Sequence, residues 1–294
     1  MSSRKSEGMS FLLAYLEVTK PRIWLLLVFT ALGGFLVASE NIIPFATGAT
    51  VLTAVALGSA GSNTLTNYID RDIDAVMDRT KLRPLPTKRL TPASRALHFG
   101  LFLSAGSLIL SSFINPICLV LMLLGIFDNV VIYSRLLKRR SPLNIILGGF
   151  SGGAPVLIGY AAVTNGVSTV ALLMALLVII WIPTHIWSLA LHSKDDYSRV
   201  NVPMLPVIVS DKTAIRVISA SSILMVVFSL SPPLLSSFGA IYLYSAVILG
   251  VLMLVLNLWL FIKPSKEVSW IVFKASSPYL GLLFLGFMLD VLLS

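Results

Sequence analysis

Five amide or carboxylate side chains recur along Asn63-Thr-Leu-Thr-Asn67-Tyr-Ile-Asp70-Arg-Asp-Ile-Asp74. On a helix turning about 100° per residue, Asn63, Asn67, Asp70 and Asp74 (i, i+4, i+7, i+11) fall in one narrow stripe, with Asp72 on the opposite side. Hard oxygen donors on one face suit Mg2+, which keeps several waters and shares its remaining positions with substrate phosphates. A solvated cap where a helix leaves a bilayer is the alternative, although a cap does not require alignment. Arg79, Lys81 and Arg83 follow at alternate positions beside Asp78. Such cations grip the non-bridging oxygens of a diphosphate; a loop that is basic for topology alone would read the same way.

A second acidic stretch runs His185-Ile-Trp187-Ser-Leu-Ala-Leu-His192-Ser-Lys194-Asp195-Asp196-Tyr197. His185, His192 and Asp196 share a helical face at i, i+7 and i+11, and Asp195 or Asp196 would complete a second metal site. A histidine in an apolar span is more often a hydrogen-bonded packing residue. Pro183 frees a backbone carbonyl able to receive its proton. Asp128 and Asn129 precede Tyr133 and the cluster Arg135, Lys138, Arg139 and Arg140. An acid within a span is a functional suspect, and pairing with an interhelical Asn or Arg accounts for it equally well. Glu40 and Asp290 read as structural residues of the opposite surface.

The elements that must position these groups are membrane helices. Of 294 residues, 56% are hydrophobic and 12% charged, where a soluble domain carries roughly a quarter charged residues. Most of the chain must therefore face lipid. Apolar stretches near the bilayer-spanning length of about 20 residues lie at 23–39, 45–66, 95–113, 116–133, 143–163, 168–191, 213–235, 239–262 and 270–293. The expectation is an all-α, polytopic bundle of about nine transmembrane helices forming a single domain over residues 1–294, with the first span retained in the mature protein. All 22 Lys and Arg residues, from Arg4 and Lys5 onward, occupy the N-terminal segment or alternate loops with their flanks. The loops near 40–44, 112–116, 163–168 and 232–238 hold none. Basic loops stay inside, which predicts a cytoplasmic N-terminus, an outside C-terminus and a multi-pass protein of the cell membrane. The formal net charge of +9 is then a one-sided surface facing anionic lipid, not a nucleic-acid footprint. The single cysteine, Cys118, excludes an internal disulfide and a Cys-rich metal site.

Two acidic helix ends with basic loops above an apolar bundle suit a substrate with a diphosphate head and a hydrocarbon tail. Metal ions would neutralise the departing diphosphate, and the bundle would keep water from the allylic cation. Aromatic faces such as Tyr133, Trp181 or Trp187 would stabilise that cation.

At these residues the chain resembles the UbiA-type intramembrane prenyltransferases, and within them the protohaem IX farnesyltransferase branch. The resemblance rests on Asn67-Tyr-Ile-Asp70-Arg-Asp-Ile-Asp74 with its extension through Arg79 and Arg83-Pro-Leu-Pro86. Thr19-Lys20-Pro21-Arg22, Tyr133-Ser-Arg-Leu-Leu-Lys138-Arg139 and Pro142-Leu-Asn144 leading into Gly148-Gly149 are also similar. Trp181-Ile-Pro183-Thr-His185-Ile-Trp187, Lys194-Asp195-Asp196-Tyr197 and Val202-Pro-Met-Leu-Pro206 complete it. It runs from about residue 11 to the C-terminus. Two departures stand out. Thr66 occupies the place of the family's first Asn, so Asn67 or Asn63 would supply the missing oxygen. Lys194-Asp195-Asp196-Tyr197 replaces a paired Asp–x–x–x–Asp.

The resemblance implies transfer of farnesyl from farnesyl diphosphate to a vinyl group of haem B, with water added, to give haem O. It implies Mg2+ on Asn67, Asp70 and Asp74, with Asp195 or Asp196 on a second ion. Arg79, Lys81, Arg83, Lys138 and Arg139 would steady the diphosphate, with Tyr133 beside them, and His185, His192 and Trp187 would meet haem. The site would lie on the cytoplasmic side. Rival readings are the same fold with a quinone-precursor acceptor, and an ion-coupled transporter, which should carry polar residues across the full membrane depth.

Overall fold

The computed structural model describes residues 11–39, 43–235 and 238–293. Arg4, Lys5 and Glu40 lie outside them. Among the described residues there is no strand. A backbone in lipid has no water to bond with, so it must satisfy its own polar groups, and helices do this within one segment.

The order begins with a short helix α1 (residues 11–18), then α2 (Pro21–Ser39), α3 (Phe45–Ile69), α4 (Arg71–Val76) and α5 (Ser94–Ile114). Helix α6 (Pro116–Phe127) runs on as a wider π-helical segment over Asp128–Leu137. Short α7 (Asn144–Leu147) leads into α8 (Phe150–Thr164), followed by α9 (Thr169–His192), α10 (Lys194–Arg199) and α11 (Leu205–Ile208). The chain ends with α12 (Asp211–Ser229), α13 (Pro232–Leu235), α14 (Ala240–Ile262) and α15 (Lys266–Leu293).

Nine of the described helices or helix pairs are long and apolar enough to cross a membrane. They match the nine predicted spans to within a few residues. The largest differences, four residues each, are the end of the fourth span at Leu137, where residue 133 was predicted, and the start of α15 at Lys266, where residue 270 was predicted. This helix continues past its apolar stretch through Lys266, Glu267 and Ser269, whose polar ends suit the membrane surface.

Helices α2 and α8 approach until their backbones nearly touch. A Cβ on Gly34 would strike the Val156 carbonyl oxygen, and one on Gly159 the Ala31 carbonyl oxygen. Small residues permit this approach where lipid offers no hydrophobic drive for helix association. Asp128 accepts a hydrogen bond from the Ser151 backbone N–H at 2.8 Å, so this buried acid caps the start of α8 instead of meeting an Asn or Arg. Asp290 likewise accepts from the N–H groups of Ile241 and Tyr242 at the start of α14, at 3.1 and 3.2 Å.

Candidate active site

Helix α3 carries the oxygen stripe to the end of its span. The i→i−4 ladder continues through its junction with α4: Asp70 N–H bonds Thr66 O at 2.9 Å and Asp74 N–H bonds Asp70 O at 2.8 Å. The stripe therefore survives the bend at Asp70, and Asn63, Thr66, Asp70 and Asp74 line one cavity of about 630 Å3. Asn67 stands beside it. Its Nδ2 donates to the Val18 carbonyl of α1 at 2.6 Å, while its Oδ1 accepts from Arg83 at 3.3 Å. Asp72 points away and forms a two-pronged pair with Arg139 at 2.6 and 2.7 Å. Hydrogen bonding to that guanidinium draws the Asp72 carboxyl down to about 2.

Each cavity carboxylate has a basic partner and both are almost fully buried. Lys138 Nζ lies 2.5 Å from Asp70 Oδ2, and Arg83 lies 2.7 Å from Asp74 Oδ2. Asp70 Oδ1 accepts no hydrogen bond, an expensive omission for a buried charged oxygen. Six basic side chains line the cavity, Lys20, Arg22, Arg79, Arg83, Lys138 and Lys274, against the two carboxylates. The surplus makes the site a receptor for a polyanion.

Lys20 arrives through a tight corner. Its φ of 56° is left-handed, a region that L side chains enter at a cost. The corner separates α1 from Pro21 at the start of α2 and brings Nζ to 3.2 Å from Thr66 Oγ1. Burial first, then the neighbouring Arg83 and Lys138 charges, lower its pKa to about 7.

The π-helical segment of α6 sets the opposite wall. Lys138 N–H reaches back five residues to Tyr133 O at 2.8 Å, the wider turn that defines this geometry. Along a strict α-helix, Lys138 would face half a turn away from Asn129. Here Asn129, Tyr133 and Lys138 all line the cavity.

On the α9 and α15 side, His185 is sandwiched between Trp181 and Phe273, with ring centroids 4.3 and 4.4 Å away. Its Nδ1 meets Ser276 Oγ at 2.7 Å, and that hydroxyl donates to Phe273 O at 2.7 Å. The hydroxyl proton being spent, Nδ1–H is the donor to Ser276, and neutral His185 keeps a lone pair on Nε2. Ser276, not the carbonyl freed by Pro183, is thus the partner. Much of the rest of the cavity wall is aliphatic, built from Leu26, Leu27, Ile126, Ile182 and Ile186, with Thr30, Ser59, Ser62 and Asn129 among them.

The second acidic stretch lies elsewhere. Helix α9 stops at His192, and α10 starts anew after Ser193, so the expected common face of His185, His192 and Asp196 does not form. Asp196 accepts from the backbone N–H groups of Asp78 and Arg79, both at 3.1 Å, and also pairs with Arg199. It latches the loop that presents Arg79 to the cavity. Asp195 is exposed and pairs with Lys266 at 2.6 Å. His192 stacks on Trp270 at 4.7 Å, and its Nδ1 meets Lys266 O at 2.9 Å. These residues border a separate cavity of about 330 Å3. Lys81 pairs with exposed Asp78, and Trp187 is buried in the main core. Neither they nor Arg139, His192, Asp195 and Asp196 line the main cavity.

Sequence reasoning gave no role to Lys274 or Ser276, and it met Lys20 and Arg22 only as parts of a motif. Their signal was faint, since a basic residue at a span end reads as topology and a serine within a span as packing.

Residues 27–285 match the UbiA prenyltransferase family. The chain belongs to that family. It is 45% identical over 305 aligned positions to protoheme IX farnesyltransferase 2 of Cenarchaeum symbiosum (strain A), covering 98% of each chain. A digeranylgeranylglyceryl phosphate synthase structure shares the fold with a TM-score of 0.79 at 22% identity, over 97% of this chain and 99% of that one. A UbiA homologue from Archaeoglobus fulgidus, bound to GPP and Mg2+, does so with a TM-score of 0.63 at 17% identity, over 93% and 99%. The multi-pass, all-helical UbiA fold expected from the sequence is thus the one observed.

Proposed function

We propose that this chain transfers the farnesyl group of farnesyl diphosphate to a vinyl group of haem B, with addition of water, producing haem O. The observation that carries this reading is the near-full-length identity to a protoheme IX farnesyltransferase. The cavity agrees with it, pairing a basic, carboxylate-bearing mouth with an uncharged, largely aliphatic body.

Asp70 and Asp74, with Asn67 beside them, are the groups suited to Mg2+. Among the described residues no three His, Cys, Asp or Glu side chains converge on one point. Mg2+ needs only one or two carboxylates when phosphates supply the rest, and Asp70 Oδ1, which accepts no hydrogen bond and has the Arg139 guanidinium 4.0 Å away, is a ready donor. Bound there, the ion would neutralise charge on the departing diphosphate. A relative of this fold holding GPP and Mg2+ supports the assignment. The ties of Asp195 and Asp196 to Lys266 and to the 78–79 loop favour a loop-holding role over a second ion.

Arg79, Arg83, Lys138 and Lys20 grip the diphosphate oxygens. Leu26, Leu27, Ile126 and Ile182 enclose the prenyl tail and exclude water. Tyr133 and Trp181 offer ring faces to the allylic cation. His185, which lines the cavity with Nδ1 tied to Ser276, is the group suited to meet haem iron or a porphyrin edge through its Nε2 lone pair. Following the distribution of basic loops, the cavity mouth faces the cytoplasm.

The test is mass analysis of haem after purified protein is incubated with haem B, farnesyl diphosphate and Mg2+. A farnesylated, hydrated porphyrin is the expected product. Unchanged haem B beside a prenylated quinone precursor would move the assignment to another acceptor.

A further inference from the structure

The cavity holds one polar feature that diphosphate binding does not use. Asn63 lies seven residues before Asp70 on the same stripe, roughly 10 Å deeper along the helix. It lines the cavity while only 6% exposed, and its carboxamide nitrogen has no hydrogen-bond partner. Beside it, Asn129 Nδ2 donates to Ser62 Oγ at 3.1 Å, joining α3 to the π-helical segment across the cavity wall. Ser59 and Thr30 line the same cavity. Polar groups at this depth among leucine and isoleucine walls are costly unless something polar occupies the space they face. A buried water requires two to four such partners and room to sit, and this belt supplies both.

We propose that Asn63, with the Ser62–Asn129 pair beside it, holds the single water that captures the carbocation formed on the acceptor. The inference rests on the reaction proposed above. When the allylic C–O bond breaks, its electron pair leaves with the diphosphate. The vinyl π pair then forms the new C–C bond to farnesyl C1, which leaves the positive charge on the vinyl carbon attached to the macrocycle. A water lone pair closes the C–O bond there, and the released proton passes to the diphosphate. Asn63 is neutral and serves as a hydrogen-bonding anchor, not as the proton acceptor. Its depth matters chemically. Water held at the level of Asp70 would quench the farnesyl cation before coupling, whereas water held apart from the basic mouth meets only the cation that has moved to the acceptor. Without that water, the same cation discharges by losing a proton from the neighbouring carbon, giving an alkene lighter by one water.

The experiment compares the full-length chain with Asn63→Leu and Asn63→Gln in detergent, supplied with haem B, farnesyl diphosphate, Mg2+ and heavy-oxygen water. The readout is the ratio of hydrated, labelled pigment to anhydro pigment, which is independent of total turnover. The expected result is a shift of roughly tenfold toward the anhydro product in Asn63→Leu, reversed in Asn63→Gln. An unchanged ratio in Asn63→Leu overturns the proposal. If that variant is not recovered folded, Asn129→Leu is read against the same two outcomes. Absence of any farnesylated haem from the unsubstituted chain overturns the functional reading itself, a failure visible before any variant is made.

Discussion

Lys20 makes the site sensitive to pH near neutrality. Its amine titrates at about 7 because burial and the Arg83 and Lys138 charges oppose protonation. A diphosphate beside it restores the proton. Binding of inorganic diphosphate near pH 8 should therefore take up a proton, seen by calorimetry in buffers of different ionisation enthalpy, and Lys20→Met should abolish that component. The linkage for folding runs the same way. The folded pKa lies below that of the unfolded chain, so this group's contribution to stability rises as pH climbs from about 7 towards 10. Asp70 and Lys138 give a second prediction at this scale. Lys138→Met leaves the Asp70 carboxylate buried without its cation, a loss of about 3 kcal/mol, and added Mg2+ should recover more thermal stability in that variant than in the unsubstituted chain. The oxygen stripe was legible because helical spacing alone aligns Asp70 and Asp74. Lys274 and Ser276 were not, since their meaning depends on α15 packing beside α9, a long-range contact that no local pattern encodes.

The elements hold these residues through a few close approaches. Gly34 and Gly159 let α2 and α8 meet backbone to backbone. Gly34→Leu should force the helices apart and lower stability by about 1–3 kcal/mol, measurable as an earlier thermal transition of the solubilised protein. Asp196 does comparable work on a loop, since its carboxylate gathers the Asp78 and Arg79 N–H groups. Asp196→Ala should raise KM for farnesyl diphosphate by roughly tenfold, the loss of one charged hydrogen-bonding anchor, without altering the Mg2+ concentration dependence. A second-ion ligand would shift that dependence instead. The spans were readable from hydropathy, which depends on composition over many residues. The π-helical segment was not, because Asp128–Leu137 carries no composition that distinguishes it from an α-helix; it shows only in the five-residue reach of Lys138 N–H to Tyr133 O. The break at Ser193 was missed for a similar reason, as the periodic pattern runs through it without a Gly or Pro.

Over the whole molecule, charge and greasiness are sorted along one axis. The charged groups of the main cavity gather at its mouth, and its body is built from aliphatic and aromatic walls broken only by neutral polar side chains such as Asn63 and Asn129. This sorting was visible in the sequence as loops that alternate between basic and uncharged. It also separates the chain from a transporter, in which ion-binding groups continue through the membrane depth; here the cavity's carboxylates sit only at the mouth. The decisive comparison is between two neighbouring acids on opposite sides of one helix turn, assayed for farnesylated haem formed in the presence of Mg2+. Asp70 faces the cavity, whereas exposed Asp72 is bound to Arg139. Asp70→Asn should lower the rate by about a hundredfold or more, while Asp72→Asn retains most of it. Full activity in Asp70→Asn would contradict the account.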